Sequence, residues 1–186
     1  MAPEVRRTED PEQALHEAAE FLASDPVRHN VVLTLLHLRA MHPEPGRYWI
    51  VDVEGASAGV VVQSPLHFMA TLTPMPVQAV TTVVDAIVED GVELPGVNGE
   101  ATTAARFAGH WTERTRSAAH PDEGQRIYEV KHVIAARPTG GRLRRASMED
   151  NDLLVAWFEA FDAEVAGPMP ENHAGVVGRR LRAGQL

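Results

Sequence analysis

Apolar and polar positions fall into blocks along the chain, and the period changes from block to block. Asp10-Pro11-Glu12-Gln13 opens the first helical block: Asp10 is a capping residue, Pro11 suits the first helical position, and Gln13 completes a box-like pattern. Leu15, Ala18 and Leu22 then share one helical face. Asp25-Pro26 starts a second helix with Val31, Leu35 and Leu38 as its apolar stripe, and Pro43 stops it. The period then drops to two. Tyr48 to Val53 is aromatic and β-branched, which predicts a strand. Glu54-Gly55-Ala56-Ser57 turns the chain, and Gly59 to Gln63 returns as the hairpin partner. Beyond Pro65, Phe68 to Leu72 reads as a third strand, so residues 47–72 predict an antiparallel meander.

Helical spacing resumes after Pro74-Met75-Pro76, with Val80, Val84 and Ile87 stacked on one face and Gly91 as the stop. Gly96-Val97-Asn98 is a short strand or bend, and Ala104, Ala108 and Trp111 mark another helix. Arg126 to Ile134 predicts a long strand, with Tyr128, Val130, His132 and Ile134 on one face. Arg137-Pro138-Thr139-Gly140-Gly141 is a run of breakers and sets a boundary. Beyond that boundary the pattern starts afresh. Arg142 to Ala146 predicts a short strand, and Ser147-Met148-Glu149-Asp150 a capped helix start. Leu154, Phe158, Phe161 and Val165 form a helical stripe; Gly167-Pro168-Met169-Pro170 breaks it, and Glu171 to Arg182 is a last helix. Interleaved strands and helices predict the α/β (α+β) class, with one mixed, mainly antiparallel sheet covered by helices.

Composition narrows the chemistry. With 44% hydrophobic and 23% charged residues, an ordinary globular core is expected. A formal net charge of -9 argues against nucleic acid as a partner, because phosphate binding needs a basic surface. The basic cluster of Arg137, Arg142, Arg144 and Arg145 reads as a solvated linker and strand edge. The absence of Cys rules out disulfides, thiolate catalysis and Cys-ligated zinc, and fits a reducing cytoplasm. No apolar run is long enough to span a bilayer, and no apolar signal core follows Arg6-Arg7, so no membrane partner and a cytoplasmic location are expected. The nine histidines lack ligand spacing: His29, His37 and His42 do not share a helical face and no HExxH occurs, so no metal is expected. Gly91, Gly96 and Gly99 lack the Lys and Ser/Thr of a phosphate loop, and no GxSxG elbow is present.

The element order resembles that of the GNAT-type N-acetyltransferase superfamily: a strand, two helices, three antiparallel strands, a helix, a strand, a helix and a strand. Residues 1–137 can be laid on it, with Glu4 to Thr8 as the first strand. Asp52 to Val61 resembles the family's hairpin, in which a Gly opens the second strand. Arg142 to Leu154 resembles a second opening, a strand with Arg leading into an acidic helix start. It repeats the Arg-Arg and Glu-Asp of Arg6 to Asp10. The resemblance therefore implies a tandem-domain type. Residues 1–137 would be a front GNAT-like domain lacking the acetyl-CoA loop, and residues 138–186 a linker and the incomplete start of a second unit.

One departure separates this chain from the pattern. In the family, the helix after the third hairpin strand begins with a Gly-rich loop whose N–H groups face the pyrophosphate of the cofactor. Here Thr71 to Ala79 holds no Gly, and Pro74 and Pro76 remove two donors. No catalytic or cofactor-binding residue is therefore assigned and no cofactor is expected in this segment; acetyl-CoA is implied for the full-length protein.

The implied activity is acetyl transfer to an amine. The amine attacks the thioester carbonyl while backbone N–H groups polarise its oxygen. The implied partners are a downstream catalytic GNAT unit of the same chain and a small-molecule or peptide amine acceptor. Glu164 and Glu171, flanking the Gly-Pro-Met-Pro break, match the acceptor-side loop and are the candidate amine-binding carboxylates. The alternative is a non-catalytic ligand- or protein-binding module with a degenerate GNAT fold. A homo-oligomer is compatible with either.

Overall fold

β1 (Glu4–Thr8) pairs antiparallel with β2 (Arg47–Val53), β2 with β3 (Ala56–Gln63), and β3 with β4 (Ala70–Leu72). β5 (Val97–Gly99) joins β4 in parallel, so the five strands lie in chain order in one mixed sheet. This is a computed structural model, and it describes residues 2–122, 124–135, 137, 140–165 and 172–186. The chain divides into two compact units, Met1–Lys131 and His132–Leu186. The fold class is the α/β arrangement that the interleaved blocks predict.

Strand alternation sends side chains to two separate cores. Trp49, Val51, Val61, Ala70 and Leu72 face α4 (Val77–Glu89) and α5 (Ala101–Thr115), meeting Ala79, Val80, Val83, Val84, Ile87 and Phe107. Tyr48, Ile50, Val60 and Val62 face α1 (Pro11–Glu17), α2 (Ala19–Ser24) and α3 (Asn30–Met41), meeting Ala14, Ala18, Leu22, Val32 and Leu36. A fully buried Val, Leu or Ile contributes roughly 1.5–3 kcal/mol, so these two layers hold the unit together. Asp10 caps α1 as its sequence predicts, accepting from the Glu12 N–H at 2.9 Å and the Gln13 N–H at 3.4 Å. Among the described residues, no helix is long and apolar enough to cross a membrane.

The second unit holds a 3₁₀ turn at Met148–Asp150, α6 (Asn151–Val165) and α7 (His173–Arg182). The Asp150 carboxylate accepts from the Ser147 N–H at 2.8 Å and from both Arg144 nitrogens at 2.7 and 2.8 Å. The Arg144 guanidinium, with the Ser147 N–H, holds this carboxyl well below the usual carboxylate range.

Four expectations are corrected. Arg126 to Ile134 forms no strand: Ile127, Tyr128, Val130, Val133 and Ile134 are all more than half exposed. Alternation makes a segment able to pair, but a strand exists only against a neighbour, and among the described residues none takes this one up. Arg142 to Ala146 likewise forms no strand; its one ladder-like bond among the described residues is from the Ala146 N–H to the Leu186 carbonyl at 3.1 Å. In α3 the buried positions are Val32, Leu36 and Arg39, one residue on from the predicted stripe, and Val31 is 48% exposed. In α6, Leu154 and Phe158 are half-buried while Phe161 and Val165 are exposed, because among the described residues of this unit α7 is the one helix that covers it.

Candidate functional site

One row of residues crosses the sheet through matched positions: Tyr48, Val62, Thr71 and Asn98. Residues in one row share a face. The first two lie beneath the helices α1–α3. α3 packs on β3 and only reaches β4, so the row emerges past its edge, and Thr71 and Asn98 floor a cleft of about 510 Å³. Val31 and Leu35 of α3 form one wall; His67, Phe68 and Met69 of the β3–β4 loop form the other. The offset stripe of α3 has its explanation here: exposed Val31 faces the cleft, and half-buried Leu35 lines it while still packing against the core.

Buried polar groups fix the rim. Gln63, fully buried, donates from Nε2 to the carbonyls of Leu66 at 2.8 Å and Phe68 at 3.3 Å, and accepts from Arg47 at 3.1 Å. Arg39, 8% exposed, donates from Nε to Ser64 Oγ at 2.8 Å, and Ser64 Oγ donates to the Pro45 carbonyl at 3.3 Å. Glu44 lies 3.3 Å from the same guanidinium. Burial pushes the nearby Tyr48 phenol above its ordinary value, with Ser64 and Arg39 pulling the other way. A buried charge without partners is costly; Arg39 has its partners within the scaffold and holds the loop in place.

Thr71 is 6% exposed, and no hydrogen bond within the described residues engages its hydroxyl. Asn98, its exposed neighbour on β5, is likewise without a side-chain bond among the described residues. The floor thus presents two uncharged hydrogen-bonding groups to a mainly apolar concavity, whose other polar lining residues are His67 on the rim and Ser64, its hydroxyl engaged by Arg39 and the Pro45 carbonyl.

A second place is the start of α4, where the GNAT resemblance would set a pyrophosphate. The Thr73 N–H donates to the Val60 carbonyl at 3.0 Å, and Thr73 Oγ1 accepts from the Val60 N–H at 2.8 Å. The Met75 N–H points to Thr103 Oγ1 at 3.5 Å. Pro74 and Pro76 have no N–H, and no residue from Thr73 to Pro76 adopts positive φ, which an anion-holding nest of N–H groups requires. Met75 itself is buried against Gly59, where a Cβ would meet its side chain at 2.9 Å. These residues do not fit the cofactor's phosphates in the manner of a Gly-rich loop.

No family model matches the chain, and no curated protein matches it in sequence. Among solved structures, a possible acetyltransferase from Clostridium difficile 630 covers 71% of this chain and 100% of its own, with 11% sequence identity and a TM-score of 0.30. An overlap that loose carries no argument about activity.

Glu164 is exposed in the last turn of α6, in the second unit. Glu171 lies outside the described residues. His29 is a core residue: its Nδ1 is 3.2 Å from the Leu22 carbonyl and its ring lies 4.6 Å from that of Phe21. Among the described residues, no three His, Asp or Glu side chains group to hold a metal. The cleft floor was missed by sequence reasoning. Its one signal is Thr71, a polar residue between Ala70 and Leu72 in a short apolar strand.

Proposed function

We propose that this chain is the front part of a GNAT-like acyltransferase, with a first unit that serves as scaffold and does not itself hold acetyl-CoA. The observation that carries the reading is topological. A helical excursion separates β1 from β2, a meander comes next, and a single parallel pair, β4 and β5, is bridged by α4. The occupied N–H groups and paired prolines before α4 support the loss of the cofactor site. On the same reading residues 138–186 begin a second unit, acetyl transfer to an amine takes place in the residues beyond, and Glu164 and Glu171 line the acceptor side. A cytoplasmic location fits the cysteine-free sequence.

Titration calorimetry of acetyl-CoA into the purified chain should show no tight binding. A low-micromolar, one-to-one dissociation constant would falsify the scaffold assignment. The product of the full native reading frame should in contrast acetylate simple amines; its failure to do so would remove the acyltransferase reading. The second reading, a non-catalytic ligand-binding module, is favoured by the cleft over Thr71 and Asn98.

A further inference from the structure

We infer that the cleft over β4 and β5 binds a neutral small molecule with an apolar body and one amide group. Its volume of about 510 Å³ falls inside the roughly 300–1,000 Å³ typical of small-molecule sites. Val31, Leu35, Phe68 and Met69 supply apolar walls, and Val31, Phe68 and Met69 are each at least 43% exposed, so the apolar surface is open to an occupant. Thr71 and Asn98 stand side by side in register on adjacent strands, about 4.8 Å apart in backbone spacing. A hydroxyl and a carboxamide each donate and accept. Together they can meet both the N–H and the C=O of one ligand amide while its hydrocarbon part lies against α3 and the loop.

The chemistry excludes charged alternatives. Among the described residues, His67, on the rim, is the one titratable side chain lining the cleft. The Arg39 guanidinium behind the rim is engaged by Ser64 and Glu44. An ionic ligand would lose its hydration against apolar walls and gain no opposite charge. An anion would also meet the unfavourable field of a protein with net charge -9. Binding here needs no acetyl-CoA chemistry, so it stands or falls separately from the acyltransferase reading.

The test titrates hexanamide, hexanoate and hexylamine, matched in chain length, into the isotope-labelled chain and tracks amide NMR shifts. Hexanamide should give saturable shifts centred on Thr71 and Asn98 and bind more tightly than the two charged probes. Thr71→Val keeps the shape and removes the hydroxyl, and should weaken hexanamide binding about fivefold. Val31→Arg changes an exposed wall position, leaves the core untouched, and should abolish the saturable shifts. Equal or tighter binding of hexanoate or hexylamine overturns the inference. So do shifts scattered over the surface, or undiminished binding in either variant.

Discussion

Gly99 and Glu100 sit where β5 hands the chain to α5. A Cβ at Gly99 would stand 2.7 Å from the Leu72 carbonyl oxygen, a backbone atom that cannot yield without parting the strands. Gly99→Ala should therefore push β5 away from β4 and destabilise the first unit by about 1–3 kcal/mol, read as a lower urea midpoint. An unchanged midpoint would show that the β4–β5 pair is looser than its register indicates. Glu100 caps α5 in an unusual way for a Glu, accepting from Thr103 Oγ1 at 2.8 Å and from the N–H groups of Thr103 at 2.9 Å and Thr102 at 3.2 Å. Those bonds, the Thr103 hydroxyl first, lower its pKa from 4.5 to about 2. A carboxyl whose folded pKa lies below its unfolded value stabilises the fold above the unfolded pKa and loses that contribution as pH falls. Glu100→Gln should thus be less stable than the parent at neutral pH. The gap should close as pH drops from 4.5 toward about 2, measured by denaturant melts across that window. A gap independent of pH would show that the charge of Glu100 plays no part in the cap.

At the scale of elements, α4 and α6 both carry an apolar stripe in sequence and differ in burial. α4 buries Ala79, Val80, Val83, Val84 and Ile87 between the sheet and α5. α6 has no fully buried residue, and Leu153, Trp157 and Phe161 are all more than half exposed. Ile87→Ala should cost about 2–5 kcal/mol, whereas Trp157→Ser should shift stability by no more than about 0.5 kcal/mol. A large loss from Trp157→Ser would mean that the Leu153 and Trp157 side of α6 is covered in solution. The same contrast explains why helical periodicity located α6 and its stripe, of which only Leu154 and Phe158 are half-buried while Phe161 and Val165 are exposed. Periodicity reports that a stripe exists, and only the neighbouring element decides which side of it is covered.

For the whole molecule, the two units should respond differently to protease. Residues 116–122 and 124–131 contain no helix or strand, and Arg126 and Lys131 are exposed. Trypsin should cut there first, because exposed irregular backbone fits a protease cleft and paired strands do not. A fragment carrying β1 to α5 should survive with its sheet intact. Simultaneous loss of both units would show that the first does not stand alone.

Most of the order of elements from α1 to α5 was legible in the sequence, because it rests on local signals that need no partner; β1 entered only through the family resemblance, and the single helix read from Asp10 to Leu22 is two, α1 and α2. The Asp10 cap, the turn at Glu54-Gly55, the prolines before α4 and the switch between periods of two and near four each act within a few residues. The hairpin of β2 and β3 was legible for the same reason. What only tertiary structure decided is every feature that depends on who stands beside whom. Arg126 to Ile134 alternates like a strand and forms none, because no strand among the described residues pairs with it. Val31 reads as core and lines a cleft, because α3 ends over the edge of β4. Thr71 and Asn98, far apart in the chain and set side by side only by the parallel pairing of β4 with β5, become a two-point hydrogen-bonding floor that no spacing in the chain announces.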